Sequence, residues 1–308
     1  MCTAVTYQNR YFGRNLDYDH SFGEQVVITP RNFQFIFPEE KIMRKHHAIM
    51  GMALVQKEYP LYFDAMNEKG LAMAGLLFEG NAVYHPPVSG KDNIPSWAFI
   101  PWMLGQCENM DEAEKLLKNL NLTDVSFNET LSPSPLHWMI ADRNRSIVVE
   151  SMADGLHVYE NPVGVLTNNP PFPFHLKNLN QYLNLTAEEP QNRFSEKIGL
   201  NPFSRGMGAF GLPGDWSSPS RFVRAAFVRA NSVSDGGVSQ FFHILSSVEQ
   251  PEGCIRLRNG GMERTIYSAC MDLQKKCYCF RTYEEPCLKI ADFREEDWER
   301  EQIRIPVI

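Results

Sequence analysis

The sequence predicts an α+β fold of layered sheets and helices. Two observations carry this. Short β-type runs gather in clusters along the chain, and helical segments with apolar faces or clear start signals fall between them. Strand clusters that flank helix groups resolve into sheets covered by helices. No internal repeat, low-complexity tract or long linker interrupts the 308 residues. The proline-rich pieces, His85-Pro86-Pro87 and Asn169 to Pro173, are short enough to be loops. The simpler reading is one domain over residues 1–308.

The first strand spans about Cys2 to Tyr7. Gln8-Asn9-Arg10 turns the chain, and Tyr11 to Asn15 returns. A tight turn at Gln8-Asn9 would set Cys2 opposite Asn15, and a slip of one residue would exchange the faces. Either way the hairpin brings Arg14 and Asp17 beside the N-terminus. Val26 to Ile28 reads as a strand. His137 to Asp142 and Ser146 to Ser151 form a hairpin, followed by Leu156 to Tyr159 and Val163 to Thr167. Ala269 to Leu273 pairs with Lys276 to Thr282. Among helices, Asp111 to Asn119 places Ala113, Leu116, Leu117 and Leu120 on one face. Ser96 to Leu104 contains Pro101, so it kinks or starts late. Ser218-Pro219 reads as an N-cap and first-turn proline for a helix through Arg229. Val238 to Ser246 is another helix.

Composition narrows the function. The chain is 43% hydrophobic and 22% charged, with a formal charge of -7. Without a basic excess it does not fit a nucleic-acid binder or a partner of anionic membrane surfaces. No apolar run is long enough to span a bilayer. The start has no basic segment followed by an apolar one, so no secretory signal is read, and a cytoplasmic location is expected. Seven cysteines are then expected to stay reduced. Cys277-Tyr278-Cys279 would put two thiols on one face of a strand but lacks the spacing of zinc or redox pairs. No histidine or cysteine spacing suggests a metal. A structural metal is not expected from these spacings.

Cys2 is the sharpest chemical feature. Once Met1 is trimmed, it carries a nucleophilic thiol and a free α-amine on one residue. That amine, with an ordinary pKa of about 7.7–8.0, can act as base for its own thiol. Arg14, returned by the hairpin, would favour the thiolate, and Asp17 can orient the amine. Taken alone, each has a plainer reading: a packed cysteine and a surface ion pair. Asn168 ends an apolar strand, where its amide can serve as an oxyanion donor or make an Asx turn into Pro170. Arg221 sits in the first turn of a helix, where a cation opposes the helix dipole. It is either solvated or held there by a partner.

These residues fall within an ordered set of motifs. Met1-Cys2-Thr3, Phe12-Gly13-Arg14-Asn15-Leu16-Asp17 and Asn67-Glu68-Lys69-Gly70-Leu71 come first. Gly164-Val165-Leu166-Thr167-Asn168, Asn178-Leu179-Asn180-Gln181-Tyr182 and Gly211-Leu212-Pro213-Gly214-Asp215 follow in order. Together they resemble the choloylglycine hydrolase family, which contains conjugated bile salt hydrolases and penicillin V acylases, from Cys2 to about Leu273. Each motif is weak alone; the ordered set is specific. The resemblance implies a four-layer αββα sandwich of the N-terminal-nucleophile hydrolase type, assembled as a homotetramer. It assigns Cys2 as nucleophile, with Arg14, Asp17, Asn168 and Arg221 completing the site. The oxyanion would be held by the Asn168 side chain and the Leu77 backbone N–H, and the resemblance implies no metal or organic cofactor.

One position departs from the family's pattern. Many bile salt hydrolases carry Asn where this chain has Leu77, and penicillin V acylases often carry Tyr. A backbone donor tolerates the change, but the substrate preference inferred from this side chain is lost. Leu136-His137-Trp138-Met139-Ile140-Ala141-Asp142 and Ser146-Ile147-Val148-Val149-Glu150 resemble the bile salt branch. The resemblance therefore implies a conjugated bile salt as the small-molecule substrate, with a penicillin V acylase or a non-catalytic sterol-binding protein as alternatives. Leu16, Phe22, Tyr59 and Tyr62 are candidates for lining a steroid pocket, or for ordinary packing.

Overall fold

The structure is a computed structural model that describes residues 1–38, 41–293 and 298–306. The chain opens with β1 (Cys2–Tyr7), β2 (Tyr11–Tyr18), β3 (Gln25–Thr29), β4 (Phe35–Phe37) and β5 (Lys41–Met43). Next come β6 (Ile49–Gln56), β7 (Tyr59–Asn67), β8 (Ala72–Leu77) and β9 (Asp92–Pro95). Helices α1 (Phe99–Gln106) and α2 (Met110–Leu117) precede β10 (Leu120–Thr123), β11 (Leu136–Ala141), β12 (Ser146–Met152), β13 (Gly155–Glu160) and β14 (Val165–Leu166). The last part holds α3 (Phe172–Asn178), α4 (Ser218–Asn231), α5 (Gly237–Ser246), β15 (Ile255–Arg256), β16 (Met262–Asp272), β17 (Cys277–Thr282) and β18 (Lys289–Asp292).

Two antiparallel sheets stack at the centre. The first runs β14-β1-β2-β16-β17-β18, with β15 beside β16. The second runs β13-β12-β11-β8-β7-β6-β3. Packing of α4 and α5 on the first sheet and of α1 on the second makes four layers, αββα. One core fills the space between the sheets and reaches α4 and α5: Met52, Met66, Ala74 and Met139 meet Ala4, Phe12 and Phe222. The other lies between the second sheet and α1–α2, where Trp138, Ile140, Met73 and Ala65 meet Phe99, Met103 and Leu117.

Strands buried on both faces lose their alternation of apolar and polar residues. On β11, Met139 and Ala141 enter the first core while Trp138 and Ile140 enter the second. This explains why β6, β7 and β8 are absent from the sequence reading. Met50-Gly51-Met52-Ala53 and Ala72-Met73-Ala74-Gly75 are apolar but have neither period two nor β-branched residues.

The hairpin register differs from the expected one. Gln8 and Asn9 take φ of 56° and 50°, and Arg10 N–H donates to Tyr7 O at 3.2 Å. The connection between the paired Tyr7 and Tyr11 is thus three residues long, and Cys2 faces Leu16 instead of Asn15. Cys2, Arg14 and Leu16 consequently point between the sheets. Thr3, Asn15 and Asp17 point toward the helices, where Asn15 Nδ2 donates to Leu245 O in α5 at 3.0 Å.

One helix start differs from the expected one and another agrees with it. The N-cap of α4 is Ser217, and Ser218 is the first helical residue. Its hydroxyl donates to Thr167 Oγ1 and accepts from Asn168 N–H. Ser96–Ala98 forms one 3-10 turn before α1 begins at Phe99, so that helix starts late and holds Pro101 in its first turn. No helix among the described residues is long and apolar enough to cross a membrane.

Candidate active site

The site forms at the start of β1, between the sheets. Cys2 is almost fully buried. Arg14, two pairs further along the hairpin and so on the same face, turns its Nη2 onto Cys2 Sγ. Its Nη1 donates to Gly75 O at 2.6 Å and Phe63 O at 3.3 Å, which ties it to the second sheet. Burial opposes the Arg14 charge, but the Cys2 sulfur, Tyr267, Asp64 and Asp17 outweigh it and push the pKa up. Asp64 is itself buried, accepting hydroxyl hydrogen bonds from Tyr267 and from Tyr278, the latter at 2.6 Å.

Asn168 is the hub. Its Oδ1 accepts from Cys2 N–H at 2.8 Å and from Arg221 Nη2 at 2.7 Å. With the oxygen fixed by two donors, the amide nitrogen must face the other way, and it donates to Leu77 O at 2.7 Å. Leu77 pairs with Leu136, while the neighbouring Phe78 N–H bonds Pro135 O. Antiparallel partners alternate between bonded and non-bonded pairs. Leu77 therefore turns its N–H and C=O away from β11, to the side where Asn168 lies.

Arg221 is fully buried, which answers the question its position in the first turn raised. It is held by partners: Nη1 donates to Cys2 O at 2.6 Å and Thr3 Oγ1 at 2.7 Å, and Nε donates to Trp216 O at 2.9 Å. Desolvation lowers its pKa despite Asp17 and Cys2 nearby. Asp17 Oδ2 lies 3.9 Å from Arg221 Nη1, and Oδ1 accepts from Thr265 Oγ1 at 2.6 Å. Burial raises the Asp17 pKa against the pull of Arg221 and the N-terminus. The Met1 amine donates to the Asp17 backbone oxygen at 2.6 Å and to the Glu263 carboxylate.

Four further candidates divide into two pairs. Leu16 faces Cys2 across the hairpin. Phe22 packs on Phe63, at 5.5 Å between ring centroids, and on Tyr18 at 4.8 Å, against the same core. Tyr59 and Tyr62 do not join them; both lie in the second core, across the sheet from Cys2. Tyr62 Oη bonds Thr29 Oγ1 at 2.6 Å, and Tyr59 packs among Phe33, Phe35, Trp97 and Phe127. The bulge that shifts the β6–β7 register between Met52 and Ala53 puts Tyr62 on the opposite face from Asp64, and no local sequence signal reveals it.

Sequence reasoning also missed a buried group behind Asn168. His137 Nε2 meets Thr167 O at 2.9 Å, and His175 Nε2 meets Asn168 O at 2.9 Å. His137 Nδ1 meets Glu150 Oε1 at 3.0 Å. Facing positions on a hairpin are a signal that could have found the pair: continuing the β11–β12 register one step past Trp138 and Val149 sets His137 opposite Glu150.

Two stacked antiparallel sheets covered by helices on both sides, with Cys2 opening β1, make the αββα fold of the N-terminal-nucleophile hydrolase type. Comparison with known proteins agrees. Residues 2–305 match the linear amide C-N hydrolases, choloylglycine hydrolase family. A bile salt hydrolase/transferase of Lactiplantibacillus plantarum is 51% identical over 302 residues, covering 96% of this chain and 93% of that one. A mutant conjugated bile acid hydrolase from Clostridium perfringens superposes with a TM-score of 0.94 at 35% identity, covering 100% and 97% of the two chains. Penicillin V acylase from Agrobacterium tumefaciens shares the fold, with a TM-score of 0.75 at 18% identity over 98% and 90%. The chain belongs to the choloylglycine hydrolase family and is a linear amide C–N hydrolase.

Proposed function

We propose that this enzyme deconjugates glycine- or taurine-conjugated bile salts, with Cys2 as an N-terminal nucleophile. The observation that carries the chemistry is the convergence of Arg14 on Cys2 Sγ and of Asn168 on Cys2 N. Removal of Met1 converts that nitrogen into an α-amine. The amine takes the thiol proton, and sulfur attacks the substrate amide carbonyl. The oxyanion replaces the Leu77 carbonyl as partner of Asn168 Nδ2 and takes a second hydrogen bond from Leu77 N–H. The C–N bond then breaks, and the glycine or taurine nitrogen leaves with the proton held by the α-ammonium. Water, deprotonated by the same amine, hydrolyses the thioester and releases the bile acid. Transfer, the second activity named for the L. plantarum relative, would use an amine in place of that water.

The substrate assignment rests on the 51% identity to that relative and on the apolar wall of Leu16, Phe22 and Phe63 near Cys2. Parallel assays on taurocholate, glycocholate and penicillin V test it; faster turnover of penicillin V than of both bile salts would reject it. Cys2→Ala is expected to abolish turnover with the fold intact, and Cys2→Ser to retain a small fraction. Intact mass is expected to show Met1 removed, since a blocked amine cannot serve as the base.

We further place the enzyme in the cytoplasm as a homotetramer. Seven free cysteines suit a reducing compartment. Leu183, Phe194, Phe203 and Phe210 are each about four-fifths exposed on one long connection, an apolar surface that suits association. Native mass spectrometry checks the assembly.

A further inference from the structure

We propose that the buried His137–Glu150 pair is a positioning device that sets the two oxyanion donors, Asn168 and Leu77, relative to each other. The proposal rests on the reading of Cys2, Asn168 and Leu77 given above. Neither His137 nor Glu150 is exposed to solvent, and both lie behind Asn168, out of contact with the reacting atoms.

The geometry joins three segments. The His137 imidazole donates through Nε2 to Thr167 O, the residue before Asn168. Its ring stacks on Phe78, the residue after Leu77, with centroids 4.3 Å apart and planes within 4°. One imidazole therefore touches the immediate neighbours of both donors. Glu150 completes the frame. Its Oε1 bonds His137 Nδ1 at 3.0 Å and also accepts from Phe172 N–H at 3.0 Å, the first residue of α3. The pair thus holds the 167–172 segment at both ends. His175, from within α3, closes the loop by meeting Asn168 O.

Proton bookkeeping supports a designed pair over incidental packing. Both ring nitrogens of His137 face acceptors, a carbonyl and a carboxyl. The pair must therefore hold one proton on Nε2 and share a second between Nδ1 and Oε1. A histidine in an apolar core would not need this, and a buried carboxylate is costly without such a partner. Binding energy spent on rigidity here serves the oxyanion, because donors lose their advantage when misplaced by a fraction of an ångström.

The test separates attack at a carbonyl, which needs the oxyanion donors, from alkylation of Cys2 by iodoacetamide, which displaces iodide and forms no oxyanion. In His137→Phe the ring stack on Phe78 survives but both hydrogen bonds are lost. In Glu150→Ala the histidine loses its partner and Phe172 N–H its acceptor. Both variants are expected to lose tenfold or more in kcat, with KM within about threefold and alkylation rate per folded molecule unchanged. Glu150→Gln, which can donate to Nδ1 and accept from Phe172 N–H, is expected to restore most of the turnover lost in Glu150→Ala. Turnover within twofold of wild type in both variants overturns the proposal. So does a fall in turnover matched by an equal fall in alkylation, which is the mark of a merely structural role. Should His137→Phe fail to fold, the Glu150→Ala and Glu150→Gln comparison decides alone. Failure of the underlying reading would look different: wild-type Cys2 would resist alkylation, or Cys2→Ala would keep turnover.

Discussion

Arg14 and Cys2 lie on neighbouring strands with their side chains on one face, and the guanidinium donates directly to the sulfur. A fixed cation at a thiol stabilises the thiolate. Arg14 cannot relax into solvent, because it is fully buried and anchored on Gly75 O and Phe63 O. Arg14→Met keeps much of the volume and removes the charge. At pH 7 the variant is expected to alkylate at Cys2 about tenfold more slowly and to lose at least as much in kcat/KM. Stopped alkylation followed by intact mass measures the first, and substrate turnover the second.

The Asn168 amide has its oxygen committed to Cys2 N–H and Arg221, which leaves only Nδ2 to meet an oxyanion. Asn168→Ala is expected to lower kcat by about 10²- to 10³-fold, the usual cost of one oxyanion donor. KM should change little. Arg221→Lys tests how that amide is held. A lysine cannot reproduce a fork that bonds Cys2 O, Thr3 Oγ1 and Asn168 Oδ1 together. Turnover is expected to drop at least tenfold, and a lysine variant with full kcat would show that the amide orients without it.

His175 gives the fold a pH dependence. Desolvation holds its pKa down at about 4, although its bond to Asn168 O pulls the other way. In the unfolded chain the ordinary value is about 6.5. Between these values the unfolded state binds more protons than the folded one, so stability rises with pH across the window and is lost as pH falls from about 6.5 to about 4. The full effect is roughly 3 kcal/mol. His175→Gln retains a side-chain donor for Asn168 O but does not titrate. The difference in urea midpoint between wild type and variant is expected to shift against wild type as pH drops through the window. A constant difference would place the histidine's proton affinity elsewhere.

The site was legible in the sequence where the chemistry is local and obscure where it is made by packing. Cys2, Arg14 and Asp17 share one hairpin, so a turn signal brought them together even with the register off by one residue. That one residue matters: it puts Arg14 on the face of Cys2 and sends Asp17 to the helix side, where its carboxylate meets Thr265 and its backbone oxygen takes the Met1 amine. Asn168 and Arg221 are 53 residues apart and were linked only through resemblance. Tyr59 and Tyr62 went astray because β7 is buried on both faces, and alternation cannot say which core a residue enters. Asp64, Tyr267 and Tyr278 come from three strands in two sheets, a meeting that no sequence pattern announces.

Gly13 is the quietest member of the motif that carries Arg14 and Asp17, and the structure gives it a demanding task. It lies in the middle of β2, opposite Cys270 of β16 and Val5 of β1. A Cβ built there would lie 1.9 Å from Ala269 O and 2.9 Å from Cys270 Cα. Both obstacles are backbone, so neither can swing aside. Relief requires β16 to move, and β16 carries Thr265 against Asp17 and Tyr267 against Asp64. Gly13→Ala is therefore expected to cost more than about 3 kcal/mol, in the range of severe backbone strain, or to leave no soluble protein. In any folded fraction, Cys2 alkylation should fall as well, because the strand that positions Arg14 is displaced. Gly199→Ala, where a Cβ meets nothing within 4 Å, serves as control and is expected to stay within about 0.5 kcal/mol of wild type. Urea unfolding of the three proteins checks the ranking. A Gly13→Ala variant as stable as the control would mean that β2 and β16 do not approach each other this closely.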